Sequence, residues 1–203
     1  MPSVPGTKGY EQVVEAFIEG TLALPFEVLH ADFLPFFPTS SSRVLDVGSG
    51  IGRDAYAFYE MGHRVTAVEP LPEFVEAAKK LFPTDDINWI EDSLPALGSL
   101  HGLKGTFDFV LASANWHHLS VVEQELSMLR IADLLAARGR FTLSLRNGPA
   151  GSGTYVFPTS VRRSLETATT SGLRPILVLE NQPSLMKHKK EVKWDRIVFE
   201  KVK

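Results

Sequence analysis

Three glycines at alternating positions, Gly48, Gly50 and Gly52, follow directly on a short apolar run, Val44 to Val47, whose one acid is Asp46. The run reads as a buried strand and the segment opening with Arg53 and Asp54 as a helix, which makes the glycines the loop between them. Glycine is needed where a backbone takes up positive φ or touches a ligand, because a Cβ would occupy the ligand's space. A dinucleotide fingerprint runs G-x-G-x-x-G and seats a pyrophosphate on the helix N-terminus. Here the spacing is G-x-G-x-G, and the carboxylate of Asp46 would repel a pyrophosphate. It suits a ligand that carries an ammonium or sulfonium group.

Two more acids stand in corresponding places. Glu69 follows a second strand-like run, 64–68, and Asp92 follows a third, 87–90. Ligands of open α/β sheets bind beyond the carboxyl ends of the strands, so all three acids fall on one edge. An acid such as Glu69 can accept both hydroxyl protons of a ribose. Asp92 can accept from an exocyclic amine while the Ser93 amide donates to a ring nitrogen, although Asp-Ser also begins many turns.

This ordered series resembles that of the class I S-adenosylmethionine-dependent methyltransferases over roughly residues 44–145, and more loosely over the later strands. The resemblance implies S-adenosyl-L-methionine as cofactor and S-adenosyl-L-homocysteine as product. It implies cofactor binding by Asp46, Gly48, Gly50, Gly52, Arg53, Glu69, Pro70, Asp92, Ser93 and Ala112, with Glu69 on the ribose and Asp92–Ser93 on the adenine. Backbone 112–114 would face the methionine part, and Asn115, Trp116, His117 and His118 the substrate side. His118 and Asn115 are the catalytic candidates. His118 either takes a proton from an amine or hydroxyl acceptor or hydrogen-bonds the loop and positions Trp116; Trp116 either faces the sulfonium or caps the core. Adjacent histidines rarely converge on one ion, and no metal-ligand motif surrounds them, so no metal is expected.

Methyl transfer is an in-line displacement that needs alignment and exclusion of water more than a strong base. Nucleic-acid amino methyltransferases are expected to carry Asn or Asp, then Pro-Pro and an aromatic, after the fourth strand; this chain has Ala112-Ser113-Ala114-Asn115-Trp116. With 21 Lys plus Arg against 24 Asp plus Glu, the net charge of −3 offers no broad field for a nucleic acid backbone. A small-molecule acceptor is the expectation. The alternative is a non-catalytic S-adenosylmethionine-binding module that acts through a protein partner. The chain has no cysteine, which removes disulfides and thiol nucleophiles. No signal-like or membrane-length apolar run is seen, so a cytoplasmic protein without membrane partners is expected.

The elements that must position these residues alternate strand with helix, which predicts an α/β fold. The expected architecture is a doubly wound seven-stranded, mostly parallel sheet with an antiparallel last strand, in one domain: helical cover 1–42, Rossmann-like core 43–203. Apolar spacing places N-terminal helices over 10–24 and 26–37, from which Tyr10 either reaches the ligand or simply packs. Crossover helices are expected from 53 to a glycine cap at Gly62, over 73–82, from a capping box Ser120/Glu123 to about 137 with Gly139 as stop, and over 159–171. Strands are expected over 107–111, 140–145, 174–180 and within 194–200. The stretch 148–158 reads as a mobile loop, and 187–190 as a solvated connection between the last strands.

Overall fold

A computed structural model describes residues 4–151, 153, 155–186 and 189–203. Its strands are β1 (Arg43–Val47), β2 (Arg64–Val68), β3 (Asn88–Ile90), β4 (Phe107–Ala112), β5 (Leu135–Asn147), β6 (Leu173–Pro183) and β7 (Lys193–Lys201). They form one sheet in the order β3-β2-β1-β4-β5-β7-β6. Strands β1 to β5 pair in parallel, and β7 runs antiparallel to both β5 and β6. The doubly wound sheet and its closing hairpin are as the sequence predicts. Strand order reverses between β1 and β4, and this opens a crevice at their carboxyl ends.

The helices are α1 (Val14–Leu22), α2 (Phe26–Leu29), α3 (Arg53–Glu60), α4 (Pro72–Leu81), α5 (Val121–Leu134) and α6 (Val161–Thr170). Side chains alternate across the sheet because a strand has a period of two. On β1, Leu45 and Val47 enter the cluster that includes Met128 and Ile131 of α5, whereas Val44 enters the opposite cluster with Phe58 of α3. The rings of Phe37, Phe58 and Phe109, with centroids 5.0 to 5.4 Å apart, lock the N-terminal segment onto this second face. Asp46 shares that face, directly below the start of α3.

Three boundaries differ from expectation. The first N-terminal helix begins only at Val14, after a 3₁₀ turn, Tyr10–Gln12. The second is interrupted: α2 ends at Leu29, the Phe33 and Leu34 N–H groups both turn back to the His30 carbonyl, and Pro35 supplies no donor in a 3₁₀ turn, Leu34–Phe36. The expected helix to about 137 stops at Leu134. Its last carbonyls are taken from outside, Asp133 O by Gly105 N–H and Leu134 O by Thr106 N–H, while Leu135 joins β5 opposite Phe107. The capping box at the other end is present, with Ser120 N–H donating to Glu123 Oε2 at 2.7 Å.

Gly139 is therefore not a helix stop but a point of close approach. A Cβ there would lie 2.9 to 3.1 Å from the carbonyl oxygens of Ala136, Phe107 and Asp108, where the β4–β5 register shifts. Gly139→Ala is expected to destabilise the fold by roughly 1–3 kcal/mol, as overpacking does. Gly20→Ala, inside α1 with open space around it, should stabilise by about 0.5–1 kcal/mol. Urea unfolding of the two variants reads both signs.

Candidate active site

A cavity of about 520 Å³ opens at the carboxyl ends of the strands, within the range of small-molecule sites. Its wall runs from the glycine loop past the ends of β2 and β3, across the loop after β4, to the ends of β5 and β7, with the N-terminal turns and α1 as cover. Asp46, Gly48, Gly50, Arg53, Glu69, Pro70, Asp92, Ser93, Asn115 and His118 all line it. Gly52 and Ala112 do not.

The three glycines all have positive φ but serve different ends. A Cβ on Gly48 would run into the Asn115 side chain, and one on Gly52 into the ring of Trp89, so both positions are fixed by the protein's own packing. Gly50 is different. Its missing Cβ would meet only the edge of Phe17, at 3.4 Å, and points into the cavity. Ala112 is fully buried in the sheet, paired with Val47 and Leu143, and the cavity wall starts one residue later, at Ser113. Ala114 holds the following turn at φ +58, a conformation costing roughly 1–2 kcal/mol outside glycine.

Glu69 ties this edge together. Its Oε2 accepts the Gly50 N–H at 2.8 Å and its Oε1 the Leu71 N–H at 3.0 Å, so one buried carboxylate joins the glycine loop to the end of β2. Burial pushes its carboxyl up to about 7, against the lowering effect of those two amides. Asp46 is raised well above the usual carboxylate range by burial and by the neighbouring Asp54. Its alternate position on β1 sets it beneath α3, where the Ala55 N–H reaches it, while its Oδ2 has no partner among the described residues. Burial alone would raise Asp54 too, but His30 at 2.9 Å and Arg53 at 2.7 Å hold it well below that range. Arg53 also donates to the Thr21 and Leu24 carbonyls, so its guanidinium fastens α3 to the end of α1.

Asp92 uses both oxygens locally, on the Ser93 and Ser99 amides at 2.7 Å each. The Ser93 N–H expected to meet a ring nitrogen is thus turned to Asp92 itself.

Across the cavity, Asn115 Nδ2 donates to the Val47 carbonyl, and its buried Oδ1 has no partner among the described residues. Trp116 is 1% exposed and packs on Phe141, which settles it as core. His117 is buried, its Nδ1 unpartnered among the described residues, and burial together with His118, Arg146 and Lys189 lowers it to about 2, so its ring is neutral. His118 Nδ1 lies 2.7 Å from the Tyr155 carbonyl, which can only accept; the proton is therefore on Nδ1, and Nε2 accepts from the Tyr10 hydroxyl at 3.0 Å. Tyr10 lines the cavity together with His118. The stretch expected to be a mobile loop lies against this pair: a Cβ on Gly153 would come within 2.7 Å of both rings, and the Phe157 N–H donates to the His117 carbonyl.

Among the cavity residues not singled out as ligand contacts from the sequence are Arg146 on β5 and Trp194 on β7. Their position at strand ends on the crevice edge was the available signal. Lys189, expected in a solvated connection, lines the wall as well, while Lys187 and His188 of that connection lie outside the described residues.

The methyltransferase domain family matches residues 44–139. Among curated relatives, the ubiquinone biosynthesis O-methyltransferase of Methylocella silvestris is 33% identical over 82 residues, 40% of this chain and 32% of that protein. An uncharacterized methyltransferase of Mycobacterium bovis is 27% identical over 137 residues, 66% of this chain and 50% of that one. The chain thus spans a third to a half of the length of these relatives. Among solved structures, the TehB-like SAM-dependent methyltransferase of Corynebacterium glutamicum superposes with a TM-score of 0.68 at 22% identity, covering 95% of this chain and 97% of that one. The 1,6-didemethyltoxoflavin-N1-methyltransferase of Burkholderia thailandensis gives 0.65 at 23% identity, covering 87% and 76%. At such identities the two structures speak for the fold, and the family match covers the strands that carry the glycine loop, Glu69 and Asp92. Residues 44–139 accordingly match the methyltransferase domain family, and the chain has the fold of the S-adenosylmethionine-dependent methyltransferases.

Proposed function

We propose that the protein transfers a methyl group from S-adenosyl-L-methionine to a small-molecule acceptor, leaving S-adenosyl-L-homocysteine. The observation that carries this reading is the cradle at Gly50: an absent Cβ facing a cavity, beside the Glu69 carboxylate that accepts the Gly50 N–H. The residues fit the group. Four buried side-chain atoms without partners among the described residues, Asp46 Oδ2, Ser49 Oγ, Asn115 Oδ1 and His117 Nδ1, belong to residues lining this one cavity. Such atoms are rare in native proteins unless something else satisfies them. The Burkholderia methyltransferase was solved with bound 1,6-didemethyltoxoflavin and S-adenosylhomocysteine, which supports a small-molecule site here.

When bound, the cofactor supplies an electrophilic methyl carbon on a sulfonium, which an acceptor's lone pair displaces while the S–C electron pair stays on sulfur. Glu69 retains lone pairs toward the cavity for two ribose hydroxyls, and with Asp46 it gives this half of the site an acidic field suited to a cation. The covering turns and α1 exclude water, in which the nucleophile would be solvated. Where the acceptor carries a proton, Tyr10 Oη is placed to receive it and to pass its own to His118 Nε2, whose Nδ1–H is anchored on the Tyr155 carbonyl. His118 acts here through Tyr10 rather than by touching the acceptor. Burial and Arg146 lower His118 below its usual value, although the Tyr155 bond opposes them, so its ring is a neutral proton acceptor at pH 7. This polar wall beyond the cofactor cradle favours turnover over a binding module alone.

Calorimetry should show S-adenosylhomocysteine binding and no response to NAD; the reverse would overturn the reading. Ribose hydroxyls favour the ionised form of Glu69, whose carboxyl is raised to about 7 by burial. Below that value binding must expel a proton, so affinity should rise about tenfold from pH 6 to pH 8 and level off above. Glu69→Gln should weaken binding by about 10- to 100-fold at pH 8, the range for hydrogen bonds to a charged group, and lose this share of the pH dependence. The relay has its own signature. With an acceptor found by screening, single-turnover rates should fall only once pH drops below the ordinary histidine range, because His118 is lowered, and both Tyr10→Phe and His118→Gln should flatten that fall without changing S-adenosylhomocysteine affinity. An unaltered profile in either folded variant would remove the relay.

A further inference from the structure

Charge is segregated along the carboxyl edge of the sheet. Asp46, Glu69 and Asp92 stand at the ends of β1, β2 and β3, one half of the crevice; Arg146 stands at the end of β5 in the other half. On β5, Phe141, Leu143 and Leu145 enter the core on the α5 side, so Thr142, Ser144 and Arg146 point the other way, toward the cavity face. The antiparallel register then sets Trp194 of β7 directly beside Arg146, and Arg196 beside Ser144.

Four described cations line the cavity: Arg53, Arg146, Lys189 and Arg196. Arg53 is paired with Asp54 and Arg196 with Asp32. Among the described residues no carboxylate pairs with Arg146 or Lys189. Arg146 is only 8% exposed, and among the described residues its guanidinium has one long contact, to the Gly148 carbonyl at 3.5 Å. A guanidinium stays charged at any ordinary pH, and a buried charge without a counter-charge is costly. Burial and Arg146 also lower the Lys189 ammonium, which places the two cations within each other's field. Folds keep such an arrangement where a ligand completes it.

We infer that the acceptor is a small planar acid whose oxyanion, a carboxylate or phosphate, is held by Arg146 with Lys189, while its ring lies along Trp194 and the neutral imidazole of His117. The inference rests on the methyltransferase reading for which half of the cavity remains free, but the anion site itself does not. Trp194 and His117 stand edge to face with centroids 6.4 Å apart, so they offer two differently inclined walls to a flat ligand. An anion bound there sits across the crevice from the acidic half, and its charge draws the acceptor toward a sulfonium held by that half. Arg rather than Lys at the buried position suits bidentate grip on a planar oxyanion.

The test uses S-adenosylhomocysteine-loaded full-length protein titrated with benzoate, phenyl phosphate and uncharged benzamide, followed by saturation-transfer NMR. At least one of the two anions should bind and benzamide at least about tenfold more weakly; Arg146→Gln should abolish that preference while leaving S-adenosylhomocysteine affinity unchanged. Whichever anion binds names the oxyanion. Benzamide held as well as both anions, binding of neither anion, or full affinity in folded Arg146→Gln would each overturn the inference. Should Arg146→Gln not fold, Lys189→Gln on the surface connection should still cut anion affinity about threefold, and an unchanged value counts against the site. Anion binding through Arg146 in a protein that ignores S-adenosylhomocysteine would leave this site standing and overturn the methyltransferase reading instead.

Discussion

One buried carboxylate holds the site together. Glu69 accepts the Gly50 amide with one oxygen and the Leu71 amide with the other, so the glycine loop, the end of β2 and the start of α4 share a single anchor. The loop has few other constraints: the Gly48 and Ser49 amides both bond to the Val68 carbonyl, again on β2. Three positive φ values in five residues cost conformational freedom that only such fixed partners offset. The same carboxylate carries an electrostatic cost. Because burial raises it, the folded chain keeps a proton that the unfolded chain releases, and the apo protein loses stability as pH rises from about 4.5 to about 7. A ligand that donates two hydroxyl protons to the ionised carboxylate recovers that loss, which couples binding to ordering of the loop.

Around this anchor the sheet edge is polarised. Acids cluster where β1, β2 and β3 end, and the unpaired cations where β5 and β7 meet. The loop after β4 lies between the two fields and brings Asn115, His117 and His118 to the boundary. Tyr10 comes from the N-terminal cover, so its hydrogen bond with His118 joins two distant parts of the chain and forms only when the cover is seated.

Much of this was legible in the sequence for physical reasons that can be named. The apolar runs of β1, β2 and β4 are short and bounded, and parallel strands buried on both faces leave little else for such runs to be. Asp46, Gly50 and Glu69, which the structure places on the cavity, could be picked out because their positions follow from a strand–loop–helix unit. Other features depend on contacts that spacing does not encode. The helix-favouring run before Gly139 gave no sign that Gly105 and Thr106 would take the last carbonyls of α5 and turn Leu135 into a strand residue. Gly52 fits the motif, yet it is glycine because Trp89 lies where its Cβ would be. Spacing leaves Tyr10 open between ligand and packing, and its bond to His118 is a contact that only the fold brings about. Arg146 marks the limit most clearly: an arginine ending a strand is unremarkable in sequence, and its meaning lies in the carboxylate that is not beside it.

In the proposed function the cofactor occupies the acidic half of the crevice and presents its methyl toward the cationic half. A crystal structure of the full chain with S-adenosylhomocysteine measures this directly. The expected result is a ribose with both hydroxyls within about 3.2 Å of Glu69, the adenosyl group packed over Gly50, and the thioether sulfur facing Tyr10 and Arg146. An adenosyl group seated instead between β5 and β7, or a ribose without contact to Glu69, would contradict it.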